Sequence, residues 1–245
     1  MKELGKKVYL SKDVLTAARE RISLVFDEFE NIVCSFSGGK DSTVMVHLAL
    51  EEAKKRNRKL NVFFLDQEAE YQATIDIIEQ VMKNEHVNPY WYQVPCYMTN
   101  STSYEQDMLY AWGEGEKWIR DKHPLAIHSI DEDYPKRFYK FIDWFEKQWD
   151  TDTTCFLVGL RAEESLNRFR AVVKNPGYKD WYYSTLTDGI LKVYPLYDWT
   201  FEDVWIYIAN NNVPYNKIYD FMYASGFDIQ EMRVSNLIHE VWILP

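Results

Sequence analysis

The stretch IVCSFSGGKDSTVMVHL, Ile32 to Leu48, runs from a strand-like apolar segment through Ser37-Gly38-Gly39-Lys40-Asp41-Ser42 into a helix-like one. Ile32 to Phe36 has the short, continuous apolar character of a buried parallel strand. Ser42 to Lys55 has helical spacing, with the helix opening at about Asp41. Gly38 and Gly39 let backbone N–H groups approach a ligand without a Cβ in the way. The helix N-terminus adds unpaired donors and a partial positive charge, and together these make an anion site. It is not a Walker A loop, which would need Gly where Cys34 stands and Ser or Thr where Asp41 stands. Nor does the spacing fit the dinucleotide G-x-G-x-x-G.

Outward from this turn, Asn61 to Leu65, Tyr90 to Val94 and Thr154 to Gly159 are further strand-like runs, and Tyr71 to Asn84 has helical period. The order strand, helix, strand, helix, strand implies right-handed crossovers and an α/β fold with a parallel sheet. Such a sheet takes its ligands at the carboxyl ends of its strands. Upstream, Ser11 is a candidate N-cap for a helix whose apolar positions Val14, Leu15, Ala18, Ile22, Val25, Phe26 and Phe29 share one face. Downstream, a strand-like piece at Leu191 to Pro195 leads to a helix from Phe201 to Asn210, with Thr200 as its N-cap. From Tyr97 to Asp150 the alternation gives way to an aromatic-rich stretch, expected to be a mainly helical insertion within one domain spanning residues 1–245.

The chain has 245 residues, is 47% hydrophobic and carries a formal net charge of −10, enough apolar material for a core and too acidic for a broad nucleic-acid face. Lys117, Arg120, Lys122, Lys136, Arg137 and Lys140 interleave with the aromatics of the insertion, as in single-strand binders. Asp131, Glu132, Asp133, Asp143, Glu146 and Asp150 cancel much of that charge, so nucleic-acid contact stays open but disfavoured. Met1 to Lys7 has no signal-peptide pattern and no apolar run is long enough for a bilayer, which leads to the expectation of a cytoplasmic protein without membrane contact. The chain closes on the apolar Val241 to Pro245, read as a truncation or a surface for a protein partner. Cys34, Cys96 and Cys155 contain no C-x-x-C pair, and the five histidines show no metal-ligand spacing.

Ser37 to Ser42, together with GLRAEESLNR (Gly159 to Arg168) and YPLYDWTFEDVWIYI (Tyr194 to Ile208), resembles the PP-loop ATP pyrophosphatase superfamily. Within it the similarity is to the phosphoadenosine phosphosulfate reductase-like branch, and there most to the immunoglobulin-binding regulator A group, over about Asp27 to Tyr219. The resemblance implies a Rossmann-like, adenine nucleotide alpha hydrolase-like sheet with helices on both faces and adenine across the ends of its first two strands. It implies ATP, or another adenine nucleotide such as phosphoadenosine phosphosulfate, with Mg²⁺, and cleavage between the α and β phosphates. Carried over, Ser37, Gly38, Gly39, Lys40, Asp41 and Ser42 would cradle the β and γ phosphates, with Lys40 neutralising charge and Asp41 helping to hold Mg²⁺. Asp66 and Glu68, in FFLDQEAEY, would meet the ribose and adenine edge or a metal; otherwise they are solvated carboxylates opening a helix. Arg161 and Arg168 would grip a second anionic group, and Lys40, Asp41 and Arg161 would form the catalytic set. The alternative for Arg161 is an ion pair with Glu164 on a helix surface.

Reduction of a sulfonucleotide needs a thiolate, which the family's reductases carry in a C-terminal segment, and this chain has no cysteine after Cys155. Cys34 and Cys155 fall in expected buried strands, leaving Cys96 as the thiol nearest the site. The reading is therefore an ATP pyrophosphatase or adenylyltransferase with an unidentified acceptor: sulfate, or a nucleic-acid or protein group. The alternatives are a nucleotide-sensing regulatory subunit acting with a protein partner, and sulfonucleotide reduction by Cys96 or a partner's thiol.

Overall fold

A computed structural model describes residues 11–99, 107–173, 178–181 and 183–234. The terminal segments Met1 to Lys7 and Val241 to Pro245, and His239, lie outside them. The centre is a six-stranded sheet of β1 (Asn31–Ser35), β2 (Leu60–Leu65), β3 (Val87–Tyr92), β6 (Thr154–Val158), β7 (Ser184–Thr187) and β8 (Ile190–Val193), in the order β3-β2-β1-β6-β8-β7. All neighbours are parallel except the edge strand β7, which runs antiparallel to β8.

Burial on both faces explains the continuous apolar runs. Along β1, Ile32 and Cys34 face one core and Val33 the other; along β2, Leu60, Val62 and Phe64 oppose Phe63 and Leu65; in β6, Cys155 and Leu157 oppose Phe156. The first core takes the apolar stripes of α1 (Val14–Glu28), α2 (Lys40–Lys55), α3 (Gln72–Met82) and α6 (Phe201–Asn210). The second is covered by the insertion, through Trp112 and through Phe141 and Phe145 of α4 (Phe138–Lys147). This is the expected α/β Rossmann-like class.

Local signals differ from expectation at two places. The cap of α1 is Asp13, whose carboxylate accepts from Thr16 N at 2.8 Å, not Ser11. An Asp two residues on satisfies the same orphan donors with a charged acceptor. Thr200 does cap α6, in a reciprocal box with Asp203. The stretch 97–150 is not mainly helical: among its described residues the α-helix is confined to Phe138–Lys147. The antiparallel ribbon β4 (Cys96–Thr99) and β5 (Met108–Ala111) and irregular chain make up the rest. Gly113, Gly115, Pro124 and Pro135 interrupt every other helical run. Its aromatics are packing material, with Trp112 fully buried and Trp118, Trp144 and Trp149 partly buried against the second core, which leaves them poor stacking platforms for bases. A bidentate pair of Arg21 with Asp198, at 2.8 and 2.7 Å, ties α1 to the turn before α6.

Candidate active site

The strand order sets the position of the site. From β1 the chain steps outward through β2 to β3, then returns to place β6 beside β1, in register from Asn31↔Thr154 to Ser35↔Val158. Beyond the carboxyl ends of these two strands the connections diverge, leaving the crevice typical of a topological switch point. The loop after β1 is Phe36 to Gly39, and the loop after β6 is Gly159 to Ser165. They meet closely: a Cβ on Gly159 would stand 2.9 Å from the Cα and N of Ser42. Only glycine lets β6 run beneath the first turn of α2.

Within the loop, Gly38 adopts φ +70°, a conformation that favours glycine. Gly39 is the N-cap of α2 and has no side chain to satisfy the first-turn donors, of which the Tyr219 hydroxyl takes Lys40 N. Ser37 and Ser42 hydroxyls lie 3.1 Å apart, and Ser42 Oγ donates to Gly39 O at 3.0 Å. The turn is not exposed as a whole: Ser37 is, but Lys40 is 4% exposed. The cover comes from the C-terminal portion. Lys40 N donates to the Tyr219 hydroxyl at 3.0 Å, its ammonium donates to Met232 O at 3.2 Å, and Asn216 donates to Gly38 O at 3.3 Å.

Asp41 lies between two cations, 3.3 Å from Lys40 Nζ and in contact with Arg161 Nε. The Arg161 side chain therefore crosses from the β6 loop to the first turn of α2 rather than pairing with Glu164, whose carboxylate takes the Arg161 backbone N–H and Arg168 Nη1. Arg161 is 4% exposed, and its Nη1 makes no hydrogen bond, with Glu163 Oε2 at 3.7 Å as its ionic neighbour. A buried guanidinium donor without a hydrogen bond has capacity for an anionic ligand. Arg168 is exposed on the same cleft, which holds about 470 Å³ and is also lined by Ser37, Lys40, Phe64 and Arg233. A larger groove, about 610 Å³, lies between α3 and the connection after α6. Its one cation, Lys217, is paired with Asp220, so it has no convergent charge to hold a nucleotide.

Asp66 and Glu68 are not in this cleft. Asp66 is fully buried and accepts from Trp91 Nε1 and Gln93 Nε2, both at 2.9 Å, and from Arg120. Glu68, at φ 65°, takes the backbone N–H groups of Trp112 and Ile119. Both pin the insertion to the end of β2, and the oxygens of both are engaged there rather than in the cleft. Gln67 and Glu70 line the cleft instead. No described side chain hydrogen-bonds the Glu70 carboxyl, and burial, reinforced by the Asp66 charge, pushes it up to about 8. Glu70, Tyr219 and Arg233 are thus the residues that sequence reasoning missed. Three carboxylates at alternate positions in DQEAE gave no basis for choosing among them, and the other two lie far along the chain.

Burial also governs the thiols. It pushes Cys34 and Cys155 far up and Cys96 up to about 12, the last with help from Asp66 and Glu68. Among the described residues no group of three or more His, Cys, Asp or Glu is arranged to hold a metal. Asp41 is the carboxylate of the turn, and one carboxylate plus substrate phosphates is an ordinary donor set for Mg²⁺. No described helix is long and apolar enough to cross a membrane.

A family model described as the phosphoadenosine phosphosulfate reductase domain matches residues 31–226. The YbdN protein of Escherichia coli K12 is 30% identical over 254 residues, covering 93% of this chain and 59% of YbdN. Adenosine 5'-phosphosulfate reductase 2 of Bacillus subtilis is 28% identical, covering 80% of this chain and 70% of that protein. The chain spans less than two thirds of the length of the first two curated relatives it matches. Among solved structures, the FMN adenylyltransferase of Candida glabrata superposes with a TM-score of 0.55 at 15% identity, covering 96% of this chain and 66% of that one, a likeness of fold.

Proposed function

Because this chain belongs to the phosphoadenosine phosphosulfate reductase domain family, we propose that it binds ATP at Ser37 to Ser42 and cleaves it between the α and β phosphates, transferring the adenylyl group to an acceptor. The observation that carries this reading is the meeting of two loops at the switch point, where buried Arg161 reaches from the β6 loop to Asp41 in the first turn of α2 while its Nη1 makes no hydrogen bond. Backbone N–H groups of Gly38 and Gly39 and the hydroxyls of Ser37 and Ser42 hold the β and γ phosphates. Lys40 and Arg161 stabilise charge on the departing pyrophosphate, which is where negative charge accumulates as the bond breaks. Arg168, and Arg233 beside it, hold the remaining phosphate oxygens and orient the α phosphorus for in-line attack. Mg²⁺ would be held by Asp41 and the phosphates, and when bound it would neutralise charge on the leaving group. The apolar walls at Phe36 and Phe64 suit an adenine ring.

The Bacillus subtilis relative is a reductase by name, but a thiol at about 12 leaves Cys96 almost wholly protonated near neutrality, which argues against its use as a nucleophile here. A second reading, a nucleotide sensor acting through a protein partner, draws support from the C-terminal portion closing over Lys40, with Tyr219 taking its backbone N–H and Met232 O one donor of its ammonium. In either case the ammonium of Lys40 keeps donors beyond the one given to Met232 O, so Lys40→Ala and Arg161→Ala should each weaken ATP binding by about tenfold or more, the worth of a charge-assisted contact. Calorimetry on variants shown to be folded by circular dichroism checks this, and wild-type affinity in both would refute the assignment of the turn.

A further inference from the structure

Glu70 is the carboxyl in this cleft that neither the fold nor the phosphate reading employs. It stands in the connection from β2 to α3, at the same carboxyl edge of the sheet as Ser37 to Ser42. It lines the cleft together with Lys40, Asp41, Glu164, Arg168 and Arg233. Its two acidic neighbours in sequence are buried and hydrogen-bonded to the insertion and to β3, whereas Glu70 has no hydrogen bond from any described side chain. A half-buried carboxyl with no side-chain hydrogen bond among the described residues is placed to meet something that enters the cleft.

The charges around it define what that is. From the end of β2 the buried Asp66 opposes ionisation of Glu70; from the insertion Arg120 favours it, but that guanidinium is already bonded to Asp66 and the Glu68 carbonyl. From the β6 side come Glu164 with Arg168, already paired, and from the C-terminal portion Arg233, bonded to Glu164 O at 3.3 Å. Across the turn, Lys40 and Arg161 are paired with Asp41. Neutral at low pH and ionised only in the alkaline range, with a value of about 8, Glu70 titrates in the range suited to accepting a proton.

We propose that Glu70 is the general base of the transfer, and that the acceptor is therefore a hydroxyl compound, or water, rather than an oxyanion such as sulfate. An oxyanion such as sulfate has no proton to give up, so a general base would not assist its attack. In the step, the acceptor oxygen forms a bond to the α phosphorus and its proton passes to a Glu70 carboxylate oxygen. The bond from the α phosphorus to the bridging oxygen breaks, and its electron pair leaves with pyrophosphate. Nothing is oxidised or reduced. The proposal rests on α–β cleavage as the reaction of this site.

The test is pyrophosphate release from ATP and Mg²⁺ across pH 6 to 9.5, with water alone, with glycerol as a simple alcohol and with sulfate, in the wild type and Glu70→Gln, alongside calorimetric ATP binding by both. Wild-type release should rise with pH to a plateau with a midpoint near 8. Glu70→Gln should bind ATP within about twofold, lose roughly a hundredfold or more in release and lose the pH step. Glycerol should give an adenylyl ester and sulfate should not accelerate release. If Glu70→Gln releases pyrophosphate at the wild-type rate with the same pH profile, or if sulfate stimulates both proteins alike, Glu70 is not the base. If the wild type binds ATP but releases no pyrophosphate at any pH, α–β cleavage itself is wrong and the role of Glu70 falls with it. Thermal melts, with Glu70→Ala as a second variant, separate a loss of fold from a loss of chemistry.

Discussion

Replacing Gly159 by Ala tests the geometry on which the site depends. The added Cβ would lie 2.9 Å from Ser42 Cα and N and 3.0 Å from Asp41 C, all of them backbone atoms. That is about 0.6 Å inside a ~3.5 Å carbon–carbon contact, and no flexible side chain can yield. Either β6 or the first turn of α2 must move. Overpacking of this kind costs about 1–3 kcal/mol, which for a chain of this size lowers the melting temperature by roughly 2–12 °C. The first turn of α2 also carries the phosphate donors. Misplacing one charge-assisted hydrogen bond loses about 1.5–3 kcal/mol, roughly a tenfold to hundredfold loss in ATP affinity. Differential scanning calorimetry and isothermal titration with ATP read the two effects separately. A Gly159→Ala protein that melts and binds like the wild type would refute the close approach of the two loops and, with it, the position of Arg161 against Asp41.

Asp66→Asn should destabilise the protein by about 3–5 kcal/mol in urea unfolding, since it leaves Arg120 beside a neutral amide and removes an acceptor shared by Trp91 and Gln93. Were Asp66 a ribose ligand instead, binding would fall while stability held. Cys96 should resist iodoacetamide at pH 8 in the native state, and Cys96→Ser should leave nucleotide turnover unchanged; rapid alkylation would contradict its burial. Glu70 also predicts how stability varies with pH. The folded state keeps this proton to about 8 and the unfolded state releases it near the ordinary 4.5, so its contribution is fullest below 4.5, declines through that window and levels off above it. Glu70→Gln should flatten the decline in urea midpoints between pH 5 and 9, and an identical slope in both proteins would refute the environment assigned to Glu70.

The parts of the fold that were legible in sequence are those where local pattern and tertiary role coincide. β1, β2 and β6 are continuous apolar runs because both sheet faces are covered, and α6 carries its own start signal in Thr200 and Asp203. The Ser37 to Ser42 connection between β1 and α2 was legible for the same reason, since glycine placement and helix start are local facts. What was not legible depends on distant partners. Lys40 reads as a surface cation until Met232 and Tyr219 close over it, 192 and 179 residues later. Asp66 and Glu68 read as ligand-facing because nothing near them in sequence reveals that Trp112, Ile119 and Arg120 will claim their oxygens. The insertion was misjudged because aromatic density was taken for helix, whereas its glycines and prolines hold most of it in irregular chain around Trp112.

The most direct measurement is ³¹P NMR of ATP and Mg²⁺ incubated with the purified protein, with calorimetric binding determined on the same sample. The account predicts growth of AMP or adenylylated acceptor together with pyrophosphate, abolished in Lys40→Ala. ADP with inorganic phosphate, or ATP left intact by a protein that demonstrably binds it, would contradict α–β cleavage at this turn.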